Sequence, residues 1–200
     1  MSTDQPQIIE YSNWFLDNNI DKLFDKHLSV FKGKDIKALQ VGVFSGDASK
    51  WLLENILTHP DSTLTDVDCW QNEDGISDVG PTFFGDEAYE RYLGRISGFE
   101  NKVRIRKMTS GSFFKQNTNT FDLIYVDADH RAISVLEDAV DAFRVLNPGG
   151  IMIFDDYDLH VDSFPIHEIP RISIDAFLFI YSRRIKVIGR EDNQIYIRKI

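Results

Sequence analysis

Cysteine is almost absent from this chain. Cys69 is the single one in 200 residues, which excludes an internal disulfide. With no second Cys and no His pair at zinc-ligand spacing, it is expected to be a small buried hydrophobe. Positive charge is scarce too: 22 Lys and Arg stand against 32 Asp and Glu, a formal net charge of −10. Bulk charge of that sign repels a polyphosphate, so no nucleic-acid partner is expected, and a small molecule or a protein is. The 6 Pro and 12 Gly never gather with Ser into a linker, and no internal repeat is present, so one domain is expected over residues 1–200. No apolar run reaches the roughly 20 residues that span a bilayer. The first stretch carries Asp4, Glu10, Asp17, Asp21 and Asp25 with no continuous apolar segment, unlike a secretory leader. A cytoplasmic protein that does not associate with membranes is expected.

What the chain has is alternation. Lys37–Val43, Thr63–Cys69, Val103–Met108, Phe121–Val126 and Ile151–Phe154 read as strands, with Phe121–Val126 and Ile151–Phe154 of the mostly apolar kind that is buried. Helical spacing recurs between several of them: Ala48, Trp51, Leu52 and Ile56 after an Asp47 that can act as N-cap, Asp86–Ser97, and Ala132, Ile133, Leu136, Ala139, Val140, Phe143 and Leu146 before the stop Asn147-Pro148-Gly149-Gly150. A last helix, about Pro170–Ser182, leads into a hairpin, Ile185–Ile188 and Ile195–Ile197 around Glu191-Asp192-Asn193. Strand-helix units closed by an antiparallel hairpin predict an α/β, Rossmann-like, doubly wound and mostly parallel seven-stranded sheet with helices on both faces. Ahead of this core, residues 36–200, the apolar positions Ile9, Trp14, Phe15, Ile20, Leu23, Phe24, Leu28 and Phe31 predict one or two helices over residues 1–35. That segment could cover the domain's own site or pack against a second subunit in a homodimer.

Chemistry is expected at the C-terminal ends of the strands. Gly42-Val43-Phe44-Ser45-Gly46 joins the first strand to its helix, where glycine lets the backbone turn tightly and approach a ligand. The spacing is G-x-x-x-G, not the G-x-G-x-x-G of dinucleotide enzymes, which argues against NAD or FAD. Asp68 ends the second strand 22 positions after Gly46, where a carboxylate can accept hydrogen bonds from both hydroxyls of a ribose. Asp66 lies on the same strand face, further from its end. Asp127-Ala128-Asp129-His130 and Asp155-Asp156-Tyr157 follow the fourth and fifth strands. A right-handed crossover makes those strands parallel, so Asp127, Asp155 and Asp156 can converge. Three clustered carboxylates repel, and a proton or a cation resolves the conflict. The alternative is that Asp127 and Asp129 cap the following helix and that Asp155-Asp156 opens a solvated loop.

Over residues 36–200 the chain resembles class I S-adenosylmethionine-dependent methyltransferases. The segments that carry the likeness are Leu39–Gly46 with Trp51-Leu52-Leu53, Asp68-Cys69-Trp70, Val126–His130, and Pro148-Gly149-Gly150 leading to Phe154–Tyr157. Within that superfamily they are similar to the branch of catechol, caffeoyl-CoA and macrocin-type sugar O-methyltransferases. The resemblance implies S-adenosylmethionine as cofactor, held by Gly42, Gly46 and Asp68, with Trp70 and Ser110 beside the adenosine and Asp127 counted in both halves of the site. It implies a divalent cation, Mg²⁺ or else Mn²⁺ or Ca²⁺, on Asp127, Asp155 and Asp156. The catalytic base falls at His130 by analogy with the catechol-type enzymes, or at Asp129 by analogy with the sugar enzymes. Gln40 stands where the family's cofactor motif usually opens with Glu or Asp.

A hydroxyl attacks a sulfonium methyl well only when deprotonated and held in line, and a hard cation among carboxylates serves both needs. The expected acceptor is therefore a small vicinal diol, catechol or sugar. Two other readings stand beside this one: a metal-independent O- or N-methyltransferase using Asp129-His130, and a non-catalytic adenosine-ligand-binding protein of the same fold. Trp70 could instead pack under the loop Gln71–Gly85, and Tyr157, His160 and His167 could face an acceptor.

Overall fold

The apolar runs become strands, and their register decides where everything else lies. A computed structural model describes residues 14–71, 85–159 and 161–200. Within them the chain runs α1 (Trp14–Asp17), α2 (Ile20–Leu28), a 3-10 turn (Ser29–Phe31), β1 (Lys37–Val41), α3 (Asp47–Asn55), β2 (Thr63–Asp68), α4 (Asp86–Arg95), β3 (Val103–Lys107), α5 (Ser110–Gln116), β4 (Phe121–Val126), α6 (Ala132–Val145), β5 (Leu146–Phe154), α7 (Pro170–Ile180), β6 (Ile185–Glu191) and β7 (Gln194–Lys199). The seven strands form one sheet in the order β3-β2-β1-β4-β5-β7-β6. The first five are parallel to one another, and β7 pairs antiparallel with both β5 and β6. This is the fold expected from the alternation.

Side chains alternate between two cores. Ala38, Leu64, Leu123, Tyr125, Ile153 and Tyr196 face one layer, covered by Phe24 and Leu28 of α2, Leu52 and Leu53 of α3 and Tyr92 of α4. Leu39, Val41, Val67, Ile124, Val126 and Phe154 face the other, covered by Phe113 of α5, Phe143 of α6 and Phe177 of α7. The central strands are apolar on both faces because both faces are covered.

Two local differences from the sequence reading have simple causes. The cap of α3 is Gly46 in a left-handed conformation, φ 81°, and not Asp47, which is the first helical residue. Asp47 instead points sideways, to Ser45 Oγ at 3.0 Å and Arg95 at 2.9 Å. The helix α5, capped by Thr109 and opening at Ser110, spans only seven residues. Such a segment is too short to show a periodicity.

The segment ahead of β1 belongs to the first core. Phe24 is fully buried, its ring 5.1 Å from that of Tyr125 and 5.8 Å from that of Trp51. His27 stacks on Tyr196 at 4.1 Å and meets Glu191 of β6 at 2.7 Å, with Lys26 on the same carboxylate at 2.6 Å. Among the described residues no helix is long and apolar enough to cross a membrane. Most of the loop Gln71–Gly85, together with His160 and residues 1–13, lies outside the described residues.

Candidate active site

Strand register sets four site positions in a row. Val67 pairs with Val41, Val41 with Val126, and Val126 with Phe154. The next residues, Asp68, Gly42, Asp127 and Asp155, therefore emerge side by side along one sheet edge, at about 4.8 Å per strand. The crevice lies at β1, where the strand order reverses, as expected for ligands of open α/β sheets.

On its β1 side the site is a backbone turn stretched over a carboxylate. Asp68 Oδ2 accepts from Val43 N at 2.8 Å and Phe44 N at 2.9 Å, and Oδ1 accepts from Trp70 N at 2.6 Å. Lone-pair capacity remains on Oδ1 for one more donor. Phe44 and Trp70 both have positive φ, 52° and 48°, conformations costing roughly 1–3 kcal/mol that persist where the surroundings impose them and that cluster at functional sites. Here the surroundings are Asp68, the Trp70 Nε1 bond to Phe44 O at 2.8 Å, and Arg95, which reaches Ser45 O at 2.6 Å. Below the turn, Gln40 donates to Gly42 O at 2.9 Å and accepts from Ser49 Oγ at 3.0 Å. In place of the usual acidic residue, Gln40 thus supports the turn from inside the protein, 2% exposed.

Trp70 is also 2% exposed, its ring against Tyr89 and Tyr92 at 4.7 and 5.0 Å. What it offers the site is the position of Phe44 rather than an open stacking face. Ser110, the first residue of α5, bonds the carboxyl of Asp138, which burial pushes up to about 6.

One strand beneath the turn, Asp66 is fully buried, takes Tyr92 OH at 2.9 Å and leaves Oδ1 without a partner. Burial pushes its carboxyl from 3.8 to about 7, against the bond from Tyr92 and the nearby hydroxyl of Ser49, with Asp68 adding repulsion. A folded-state value above the unfolded one means that the native protein holds this proton while the unfolded chain releases it. Stability from Asp66 is therefore present below about pH 4 and lost as the pH rises toward about 7, at roughly 1.4 kcal/mol per pH unit. Asp66→Asn keeps the shape without the titration. Urea unfolding at pH 5 and pH 8 is expected to show a smaller loss with rising pH in the variant than in the parent, and equal losses would count against a protonated Asp66.

The acidic half lies at the ends of β4 and β5. His130 Nε2 is 2.9 Å from Asp156 Oδ2 and 3.9 Å from Asp127 Oδ1. Asp127, His130 and Asp156 offer ligand atoms within 4.8 Å of one another. They border a recess of about 10 Å³, room for about one water-sized sphere. Asp155 is beside them but turned inward: its carboxylate accepts from Tyr125 OH, from Gln194 Nε2 at 2.9 Å and from Asp156 N at 2.8 Å. Burial raises the carboxyls of Asp127, to about 6, and of Asp155, and repulsion from Asp156 adds to both. The imidazole of His130 is disfavoured as a cation by burial, yet its bonds to Asp127 and Asp156 outweigh that and hold its proton well above the usual range.

The two candidate bases differ sharply. Asp129 is engaged by Arg131, with Nε at 2.8 Å from Oδ2, and by Ser134 Oγ at 2.7 Å. Burial works to raise its pKa, but these bonds prevail and lower it, which makes it a weak proton acceptor. His130, which lines the recess as Asp129 does, turns its Nε2 to Asp156 and Asp127.

A family model described as a methyltransferase domain matches residues 39–157. The chain belongs to that family. Its fold recurs in solved structures, among them the O-methyltransferase TomG from Streptomyces achromogenes in complex with S-adenosylmethionine, with a TM-score of 0.64 at 16% identity over 90% of this chain and 79% of that one. An O-methyltransferase from Bacillus cereus in complex with S-adenosylhomocysteine gives 0.65 at 12% over 90% and 80%. The mycinamycin-pathway methyltransferase MycE, in complex with Mg, S-adenosylhomocysteine and mycinamycin VI, gives 0.62 at 12% over 94% and 50%. No curated protein sequence matches the chain.

In this methyltransferase, sequence reasoning missed the residues that hold the acidic pair. Tyr125 and Gln194 anchor Asp155, and Asn193 donates to Asp156 Oδ1 at 3.1 Å and accepts from Tyr157 N at 2.9 Å. Tyr125 carried a readable signal, since it shares a strand face with Asp127 two positions on. Tyr157 turns its hydroxyl to Asp175 at 2.9 Å and receives Arg190 at 2.9 Å, while His167 is exposed beside Glu168.

Proposed function

We propose that the protein is an S-adenosylmethionine-dependent O-methyltransferase acting, with a divalent cation, on a small cytoplasmic acceptor carrying neighbouring hydroxyls. The observation that carries this reading is the convergence of Asp127, His130, Asp155 and Asp156 one strand away from the Gly42–Gly46 turn. Family membership gives methyl transfer, and structural neighbours solved with S-adenosylmethionine or its demethylated product support the cofactor.

In this reading Gly42 and Gly46 let the cofactor approach the backbone, and the free capacity of Asp68 Oδ1 takes a ribose hydroxyl. The donor set fits a hard cation: three carboxylates, two of them with pKa values raised by burial and by the charge of their acidic neighbours. Asp127 and Asp156 would hold it, with Asp155 as the third carboxylate. The cation would supply charge that lowers the acceptor hydroxyl's pKa and fixes its two oxygens. Once Asp127 and Asp156 are compensated by anything other than His130, the imidazole loses what holds its proton and becomes able to accept one near neutral pH. Asp129 is the weaker candidate for that role.

One observation favours a second reading. His130 already lies between Asp127 and Asp156, so an internal imidazolium could stand in for the cation in a metal-independent enzyme.

Calorimetry separates the two. S-adenosylhomocysteine is titrated into metal-stripped protein, then Mg²⁺ and Mn²⁺ into the parent, Asp155→Ala and Asp156→Ala. Saturable binding of both, with the metal signal lost in the variants and cofactor affinity within a few-fold, is expected. Cofactor binding without metal, or methyl transfer surviving chelation, would move the assignment to the second reading. Absence of nucleoside binding would overturn both.

A further inference from the structure

The face of the sheet away from α2 has one uncovered corner. There α5, at seven residues, extends only about 10 Å, and the chain descends to β4 beside β2 and β3 without covering their first residues. The recess left behind has a volume of about 350 Å³, within the size range of small-molecule sites. It is far from the acidic cluster: Lys37, Thr63 and Phe121, which line it, open β1, β2 and β4, whereas Asp127 and Asp155 follow the last residues of their strands.

Its lining is unusual for this protein. Arg104 and Arg106 of β3 project on the same face, about 6.6 Å apart along the strand, with Thr65 paired to Arg104 and Lys37 paired to Thr63. None of the residues lining the recess carries a carboxylate, although the chain has a net charge of −10. Among the described residues neither Lys37, Arg104 nor Arg106 forms an ion pair. Arg104 reaches only the carbonyls of Asn101 and Val103, and Arg106 that of Ile105. Asp122, beside Lys37, is taken by the Lys37 backbone N–H at 2.9 Å and by Asn147 at 2.8 Å. The floor is apolar, with Met108, Phe113 and Phe121. The strand pattern points the same way. β2 is an interior parallel strand, where both faces normally read apolar, yet it presents Thr63 and Thr65 to this corner.

The geometry points to a second ligand site, distinct from the methyl-transfer site, that takes a small organic phosphate. The two guanidinium forks and the Lys37 ammonium bind the phosphoryl oxygens, Thr63 and Thr65 supply hydroxyls, and the apolar floor takes the organic part. The size of the recess and the strongly acidic remainder of the molecule favour a small ligand over a nucleic acid.

Phenyl phosphate is the probe, titrated into ¹⁵N-labelled full-length protein saturated with S-adenosylhomocysteine, with phenol and a short single-stranded oligonucleotide as comparisons. Saturable shifts at the amides of Thr63, Thr65, Arg104 and Arg106 are expected, at least tenfold weaker in Arg104→Gln/Arg106→Gln. The exposure of both side chains lets the variant fold, which its unshifted spectrum elsewhere would verify, and Lys37→Gln provides a milder second variant. Equal binding by parent and variants, equal binding of phenol, or shifts confined to other surfaces would overturn the site. Tighter binding of the oligonucleotide on the same amides would overturn its small-ligand assignment.

Discussion

Replacing Gly42 with alanine is expected to destabilise the protein by about 2–5 kcal/mol, the sum of a left-handed residue given a side chain and a core forced apart. Gly42 has φ +84°, and a Cβ there would lie 1.8 Å from Asp127 O and 2.6 Å from Ala128 Cα. Both obstacles are backbone, so no rotamer change relieves them. The end of β4 would have to move away from β1, which displaces Asp127 from His130 and Asp156 while it disrupts the turn over Asp68. Gly33→Ala separates the two causes. It has φ +73°, but its nearest neighbour would be Thr58 Oγ1 at 3.9 Å, so it incurs the backbone cost alone, about 1–2 kcal/mol. Urea denaturation of the three proteins tests the ranking, and equal losses in the two variants would show that the Gly42 contact with the β4 loop does not matter.

Removing the imidazole of His130 is expected to lower kcat by about 10²–10⁴-fold, the usual contribution of a positioned acid-base group, with affinity for S-adenosylhomocysteine within a few-fold. The direction of the accompanying change in cation affinity is informative. In the absence of a metal ion, His130 pairs with Asp127 and Asp156, so as a base it competes with any cation for those carboxylates. In His130→Ala, Mg²⁺ should then bind as tightly as in the parent or more tightly. If His130 were itself a ligand, Mg²⁺ would bind more weakly. Turnover on an acceptor found among catechols and vicinal diols, read beside Mg²⁺ calorimetry, distinguishes the two, and an unchanged kcat would remove His130 from the chemistry.

The architecture was legible because its signals are local: apolar or alternating strand segments, helices long enough to show their period, and a closing hairpin. The convergence of Asp127, Asp155 and Asp156 followed from topology, since parallel strands in register end together. What topology could not supply was side-chain direction. Asp155 and Asp156 are adjacent, and the left-handed φ of 57° at Asp156 sends one carboxylate inward to Tyr125 and Gln194 and the other outward to His130. No spacing rule reads that. The role of Gln40 was equally hidden, because its two partners, Ser49 and the carbonyl of Gly42, are brought to it only by the fold. Trp70 belongs to the same class: an indole next to a cofactor turn reads as a stacking surface until Tyr89 and Tyr92 are seen to occupy its face.

The packing of α2 bears on where this enzyme's working unit begins. The resemblance to methyltransferases begins near residue 36, just before β1, yet Phe24 lies edge-on against Tyr125, whose hydroxyl holds Asp155, and His27 lies on Tyr196, which hydrogen-bonds Gln194, another holder of Asp155. Both side-chain supports of that carboxylate are therefore backed by the helix ahead of the sheet. Sequence variation in α2, remote from the acidic cluster along the chain, is a route by which evolution could adjust the pairing of Asp155 without altering any residue that faces the acceptor.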